Sequence, residues 1–267
     1  MSRKVLDHGF VELVESWGSD ERIIESARMS TQKGFQGWGP VETRCENCDA
    51  EGRESCGANA FAPSGKRRCG KCGGTKVVRA PGDEKLLRFL YENAHATPFE
   101  FGGLVIEVQA PIFVFREWHR HRTQSYNEMS ARYAPLPAFD YVPTVERCLV
   151  GGGANRQAGT VLGAEQLTAE AAEAWRAELE KFYVCAEALY QEGLASGVPK
   201  ELARLVLPVG RYSKMRASAN LRNWLGFLTL RMAPNAQAEI REYANAVGEI
   251  VAERFPRTWE LFAGGKP

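Results

Sequence analysis

Five of the seven cysteines fall between Cys45 and Cys72, and no other stretch restricts so tightly what the polypeptide can become. Cys45-Glu-Asn-Cys48 and Cys69-Gly-Lys-Cys72 are two C-x2-C pairs separated by twenty residues. The surrounding segment, 34–82, is rich in glycine and charge and poor in large apolar residues. Such a segment cannot build a core of its own and needs a staple or a host surface. Tetrahedral zinc is such a staple, because it takes four soft ligands and each C-x2-C turn presents two thiolates. Glycine after the second cysteine of a pair lets backbone N–H groups turn toward sulfur. The spacing therefore predicts a structural zinc site of Cys45, Cys48, Cys69 and Cys72, with Cys56 a fifth thiol able to replace one of them. Redox-active dithiols are the competing reading, which the core-poor surroundings disfavour. Cys148 and Cys185 sit in no recognisable motif.

Composition narrows the rest. With 34 Lys and Arg against 33 Asp and Glu, the formal charge is +1, which argues against a protein that mainly coats nucleic acid or anionic membrane. A 44% hydrophobic content supplies a core and excludes disorder of the whole chain. The start, MSRKVLDHGFVELVES, carries charges throughout and no apolar signal region. No stretch reaches the roughly 18 apolar residues of a membrane span, so a cytoplasmic location is expected. An odd cysteine count without an export signal argues against a disulfide framework. Between positions 66 and 79 there are six basic residues and no acid. These could mark a nucleic-acid-binding ribbon, but without interleaved aromatics a solvated face is the preferred reading.

The pattern of elements is α+β, helix-dominated, with the strands in the first half. Residues 1–30 read as one or two strands and a helix, for which Ser19-Asp20-Glu21 supplies the start. Leu86, Leu87, Leu90, Tyr91 and Ala94 recur at helical spacing, and Leu104, Ile106 and Val108 alternate as in a strand. The segment 151–159 reads as a loop. Beyond it, Trp175, Leu179, Phe182, Ala186, Leu189 and Tyr190 form one apolar helical stripe. Pro199 suits a first helical turn, and Ile240, Tyr243, Ala244, Val247, Ile250 and Val251 mark a last long helix after Pro234.

A cationic run from Phe115 to Tyr133 holds Arg116, Arg120, Arg122 and Arg132 with His119 and His121. Only Glu117 and Glu128 offer acids, so a solvated face with balancing i,i+4 pairs is a poor fit. Guanidinium beside Ser125, Asn127 and Ser130 points to a phosphate or other anion, with inter-subunit salt bridges as the alternative.

Arg120-His121-Arg122, followed by seven residues and Ser130, resembles the signature of the flavin-dependent thymidylate synthases. The similarity continues through Asn127-Glu128-Met129-Ser130-Ala131-Arg132-Tyr133. Ala27-Arg28-Met29-Ser30 resembles the family's early flavin-contacting segment, and His95-Ala96-Thr97-Pro98-Phe99-Glu100 its H-x-[ST]-P-F-E motif. Arg204 in ELARLVLP, Asn220-Leu221-Arg222 and Leu230-Arg231 follow in the family's order. The resemblance implies a single domain over 1–267 with the family's fold, helix-dominated around a small antiparallel sheet. It leaves 35–82 as an inserted module, whose two cysteine knuckles resemble those of zinc ribbons.

The implied reaction converts dUMP to dTMP with 5,10-methylenetetrahydrofolate as carbon donor, FAD as cofactor, NADPH as reductant and no cysteine nucleophile. The implied catalytic residue is Arg231, which would bind the pyrimidine and favour loss of its N3 proton. Glu117, Arg120, Glu128, Ser130, Ala131, Arg132, Arg204 and Arg231 would hold dUMP. Ser30, Thr97, Glu100, Arg120, His121, Arg122, Asn127, Glu128, Asn220, Arg222 and Gly226 would hold FAD. Ser130 suits binding better than nucleophilic attack, because no group completes a triad around it. The family is homotetrameric with sites at subunit interfaces, so the salt-bridge reading of the arginines is partly retained.

Three positions depart from the family pattern. Glu117 stands where Gln is common, and a carboxylate there would repel phosphate or accept from a protonated pyrimidine N3. Ala131 replaces a common Gly, which leaves a backbone N–H contact intact. Gly226 stands where His or Asn contacts the flavin and offers no side-chain hydrogen bond. Glu117 and Gly226 keep open a second outcome, capture of the methylene intermediate by water to give 5-hydroxymethyl-dUMP. A reading from another class is a non-catalytic nucleic-acid-binding zinc-ribbon protein on the same scaffold. Retention of Arg231, Ser130 and the Arg-His-Arg triplet argues against it.

Overall fold

A computed structural model describes residues 2–48, 53–55, 66–150 and 167–265. In chain order its strands are β1 (Ser2–Val5), β2 (Gly9–Trp17), β3 (Val41–Arg44), β4 (Arg53–Ser55), β5 (Lys66–Arg68), β6 (Val77–Ala80), β7 (Gly103–Pro111), β8 (Ser125–Glu128) and β9 (Tyr212–Asn220). Its helices are α1 (Asp20–Arg28), α2 (Glu84–Glu92), α3 (Ile112–Trp118), α4 (Val145–Leu149), α5 (Ala169–Ala195), α6 (Lys200–Ala203), α7 (Leu221–Arg231), α8 (Ala238–Arg254) and α9 (Pro256–Gly264). Two compact units result: Met1–Trp17 with Gly102–Pro256, and Gly18–Phe101 with Arg257–Pro267. Among the described residues no helix is long and apolar enough to cross a membrane.

The first unit is built on an antiparallel five-stranded sheet in the order β1-β2-β7-β9-β8. The alternation read in β7 is real: Leu104, Ile106 and Val108 are fully buried, and Met215, Ala217 and Ala219 of β9 continue that face. Helices α7 and α8 cover it with Trp224, Phe227, Leu228, Ile240, Tyr243, Val247 and Val251, all buried. Each large apolar side chain so buried contributes about 1.5–3 kcal/mol. The buried Trp224 indole is satisfied by the Leu104 carbonyl at 3.1 Å.

Several expectations are corrected here. The strands are not confined to the first half, because β9 lies in the second and joins β7 to β8. Its buried positions include Ser213, Ala217 and Ala219, small residues that carry little alternation signal. Pro199 stands just before α6 as its N-cap, not in its first turn. Helix α5 forms where its stripe predicts, but the stripe is divided: Ala186 and Tyr190 are buried, whereas Trp175, Phe182 and Leu189 are each more than half exposed. That helix is held from another edge. Arg211, fully buried, donates to Glu187 of α5 at 2.6 Å, to Asp140 at 3.1 Å and to the Pro137 carbonyl at 3.3 Å. The last long helix, α8, starts at Ala238 as its stripe predicts; Pro256 then opens α9, which the pattern did not announce. The loop read at 151–159 lies outside the described residues.

In the second unit, Ser19 caps α1 by accepting from the Arg22 N–H at 3.3 Å. Its neighbour Asp20 is buried and accepts from the N–H groups of Arg257 and Thr258 and from the Thr258 hydroxyl, at 2.8, 3.2 and 2.6 Å. An acid from the start of α1 thus satisfies the open donors of α9. Asp83 closes the base of the insert, taking hydrogen bonds from Arg28 and from the Gln36 N–H at 2.8 Å. Gly39 donates its N–H to Glu84 at 2.7 Å. A Cβ on Gly82 would collide with the Gly39 carbonyl, so only glycine allows this close approach. Within the insert, β3 pairs with β6 and β4 with β5.

Candidate functional site

The cationic triplet occupies the turn that leads from α3 to β8. The apolar start of α3 buries Val114, Phe115 and Trp118, which fixes where the helix ends. His119 then donates its N–H to Phe115 at 2.8 Å and His121 to Trp118 at 3.0 Å. The Tyr126 hydroxyl reaches the carbonyls of His121 at 2.6 Å and Trp118 at 3.1 Å. Asn223 of α7 donates to the Thr123 carbonyl at 3.1 Å. The Trp118 and His121 rings both pack against Phe227, at centroid distances of 4.6 and 4.9 Å. Sequence reasoning missed these three supports. Tyr126 lies inside the matched string, which could have drawn attention to it, whereas Asn223 and Phe227 carry no such signal.

Arg231, the last residue of α7, comes directly to this turn. Its Nε donates to His121 Nε2, its Nη1 to Glu117 Oε2 and its Nη2 to the Glu117 backbone carbonyl, each at 2.8 Å. Because Nε2 accepts, the His121 proton sits on Nδ1 and the ring is neutral. Burial, helped by the Arg231 cation, pushes the His121 pKa down to about 4 against an opposing pull from Glu117. One N–H remains on each terminal nitrogen of Arg231 for a further acceptor. Glu117, expected beside the nucleotide, is paired with the Arg231 guanidinium and keeps 43% of its side chain exposed.

Arg120, Arg122 and Arg132 are exposed, and no carboxylate pairs with them among the described residues. Unpaired guanidiniums fit a phosphate-bearing ligand, which they can bind bidentately. Ser130 Oγ accepts from the Arg132 N–H at 3.3 Å, and Ala131 is buried. Lys200 of α6 donates to the Tyr133 carbonyl at 3.1 Å, tying the segment that carries Arg204 to the loop that carries Ser130. Arg204 is exposed and donates to the Glu201 carbonyl at 3.3 Å. Asn127 and Glu128 lie on edge strand β8, opposite Arg216 and Met215. Asn220 caps α7 through the Asn223 N–H at 3.0 Å. Arg222 and Gly226 lie on the exposed face of α7, and a Cβ at Gly226 would meet nothing within 4 Å. In the second unit, Ser30 is exposed in the 3-10 turn Met29–Thr31. Thr97 and Glu100 belong to the 3-10 turn Thr97–Phe101, around buried Phe99.

The four predicted ligand cysteines meet. Their sulfurs lie within 4.8 Å of one another, with Cys45 to Cys69 at 3.6 Å and Cys48 to Cys72 at 3.7 Å. Tetrahedral zinc at a Zn–S distance of about 2.3 Å separates its sulfurs by about 3.8 Å, so the residues fit the ion. Gly73 and Gly74 take positive φ, +62° and +85°. Burial opposes the Cys72 thiolate, but the backbone N–H groups of Lys76 and Gly74 and the neighbouring thiols bring its pKa down to about 7. Among the described residues, the apolar cluster around the cysteines adds only Val78 to the four thiols, which suits a stapled module. Cys56 lies outside the described residues.

Comparison with known proteins agrees with the motifs. The family model described as thymidylate synthase complementing protein matches residues 12–257. A flavin-dependent thymidylate synthase of Thermus thermophilus is 35% identical over 258 residues, covering 97% of this chain and 77% of the relative. That of Thermosipho africanus is 32% identical over 263 residues, covering 98% and 94%. Among solved structures, the UMP/dUMP methylase PolB from Streptomyces cacaoi, bound with 5-Br dUMP, superposes with a TM-score of 0.70 at 29% identity. The match covers 98% of this chain and 97% of that one.

Proposed function

The chain belongs to the flavin-dependent thymidylate synthase family, and we propose from this that it is a methyltransferase that converts dUMP to dTMP. In this reading dUMP, 5,10-methylenetetrahydrofolate, NADPH and a proton yield dTMP, tetrahydrofolate and NADP+. FAD, once reduced by NADPH, would supply the hydride equivalent that brings the transferred carbon to the methyl level.

The observation that carries the reading is the setting of Arg231. A guanidinium clamped on one side by a neutral imidazole and a carboxylate still has two N–H groups to offer. Directed at a pyrimidine, they stabilise the anion left when N3 loses its proton, and that anion is the nucleophile toward the one-carbon unit. No cysteine is needed for this activation. Among the described residues, Cys148 and Cys185 take no part in the arrangement around Arg231. Arg120, Arg132, Arg204, Ser130 and the Ala131 backbone would hold the nucleotide, with the arginines on its phosphate. Arg120, Arg122, His121, Asn127, Glu128, Asn220 and Arg222 would hold FAD, and the open space at Gly226 leaves room for it.

Two further parts of the reading rest on other observations. The segment 35–82 is an inserted zinc-ribbon module whose ion replaces a hydrophobic core. The exposed Trp175, Phe182 and Leu189 of α5 support association of subunits, since an exposed apolar face of this kind marks an interaction surface, and the homotetramer is the family's expected form.

Mass spectrometry of the product from labelled dUMP tests the reaction. A gain of CH2 is expected, whereas a gain of CH2O would identify a hydroxymethylase and overturn the proposal. UMP belongs in the same assay, because PolB is a UMP/dUMP methylase. Arg231→Ala is expected to lose at least about a hundredfold in turnover with FAD still bound. Near-normal turnover in that variant would remove Arg231 from its assigned role.

A further inference from the structure

Residue 117 holds Arg231 in two ways at once. Its side-chain Oε2 accepts from Nη1 and its own backbone carbonyl accepts from Nη2, both at 2.8 Å. The third arm, His121 Nε2, accepts from Nε at 2.8 Å. The guanidinium is therefore fixed in plane by three acceptors from one turn. Two of those arms, the backbone carbonyl and the neutral ring, bring no charge. Only the Glu117 carboxylate does. Arg231 is largely buried, with a side chain 16% exposed, while that of Glu117 is 43% exposed. The carboxylate thus sets how much positive charge the arginine shows to an incoming anion without itself being enclosed with it.

We infer that Glu117 is a positioning residue for Arg231, not a substrate contact: it orients the guanidinium and offsets its charge until the nucleotide is bound. The inference rests on the proposed use of Arg231 against the pyrimidine. Its physical content is a division of labour within one residue. The hydrogen-bonding arm sets direction and survives in any side chain with an acceptor oxygen at the same reach. The charge weakens ground-state attraction for a phosphate-bearing ligand and is lost when the carboxylate is replaced by an amide.

The test uses FAD-loaded enzyme and dUMP. Glu117→Gln keeps an acceptor and removes the charge, so dUMP should bind about three- to tenfold more tightly while kcat stays within a few-fold. Glu117→Ala removes the arm as well, so kcat should fall about tenfold or more. Because Glu117 acts through Arg231, the alanine change should alter dUMP affinity by less than about twofold in an Arg231→Ala background. Titration calorimetry of dUMP on the single and double variants reads this without requiring turnover. Equal effects of Glu117→Ala in both backgrounds would overturn the inference. So would a Glu117→Gln variant as damaged in kcat as Glu117→Ala, since the carboxylate would then be acting on the substrate itself. Should the alanine variant fail to fold, the nearly isosteric Glu117→Gln decides the charge effect in both backgrounds. If wild-type enzyme forms no dTMP but the binding cycle is non-additive, the reaction assignment falls and the role of Glu117 stands.

Discussion

Arg231 draws its usefulness from what His121 is not. A protonated imidazole could not accept from Nε, and two cations would repel across 2.8 Å. Burial keeps the ring neutral, with a pKa near 4 against an ordinary value of about 6.5. The sign of the linkage follows. The unfolded chain takes up a proton at this histidine near pH 6.5 and the folded chain does not until about pH 4. The contribution is whole above pH 6.5 and is lost as pH falls from there toward 4. Urea unfolding at pH 7 and pH 4.5 is expected to show a larger loss for the wild type than for His121→Gln, which keeps an acceptor but cannot titrate. Equal losses would mean that His121 does not carry this linkage. The contact with Glu117 lay beyond sequence reasoning, because its partners stand 114 positions apart and each reads alone as a ligand for the nucleotide.

Elements were legible where chemistry or burial imposes a period. Strand β7 and helix α2 follow their apolar spacing, and Ser19 caps α1 as its position suggests. Helix α7 was not announced, because Asn220 and Arg222 were read only as ligand residues although Asn220 also begins the helix. The cysteine knuckles were the most legible element of all, since four ligands at fixed spacing leave little choice of geometry. Elemental analysis is expected to give one zinc per chain, lost together with the fold of 35–82 in Cys69→Ser. A metal-free wild type would remove the ion from the account. Zinc contributes on the order of 10 kcal/mol to small modules of this kind, so chelation should unfold the insert before the remainder of the chain.

At the scale of the molecule, α5 is the element whose sequence and surroundings disagree most. Its stripe is apolar, yet Trp175 and Phe182 are more than half exposed, and Arg211 holds the helix by a different edge. If these side chains are buried between subunits, Phe182→Glu is expected to shift the protein toward smaller species in light-scattering chromatography, with far-UV circular dichroism unchanged. An unchanged molecular mass would remove this face from any subunit contact. The late position of β9 has a consequence for how the chain comes into being. On the ribosome, β1, β2 and β7 emerge well before the strand that joins them to β8, and Gly103 waits for Asn220 to be synthesised. Asp20 in turn waits for Thr258. Among the described pairings, the β1–β2 hairpin and the cysteine knuckles close over short spans and can form while translation continues. The five-stranded sheet, by contrast, stays open along one side of β7 until β9 has emerged, so closing it is a late event in synthesis.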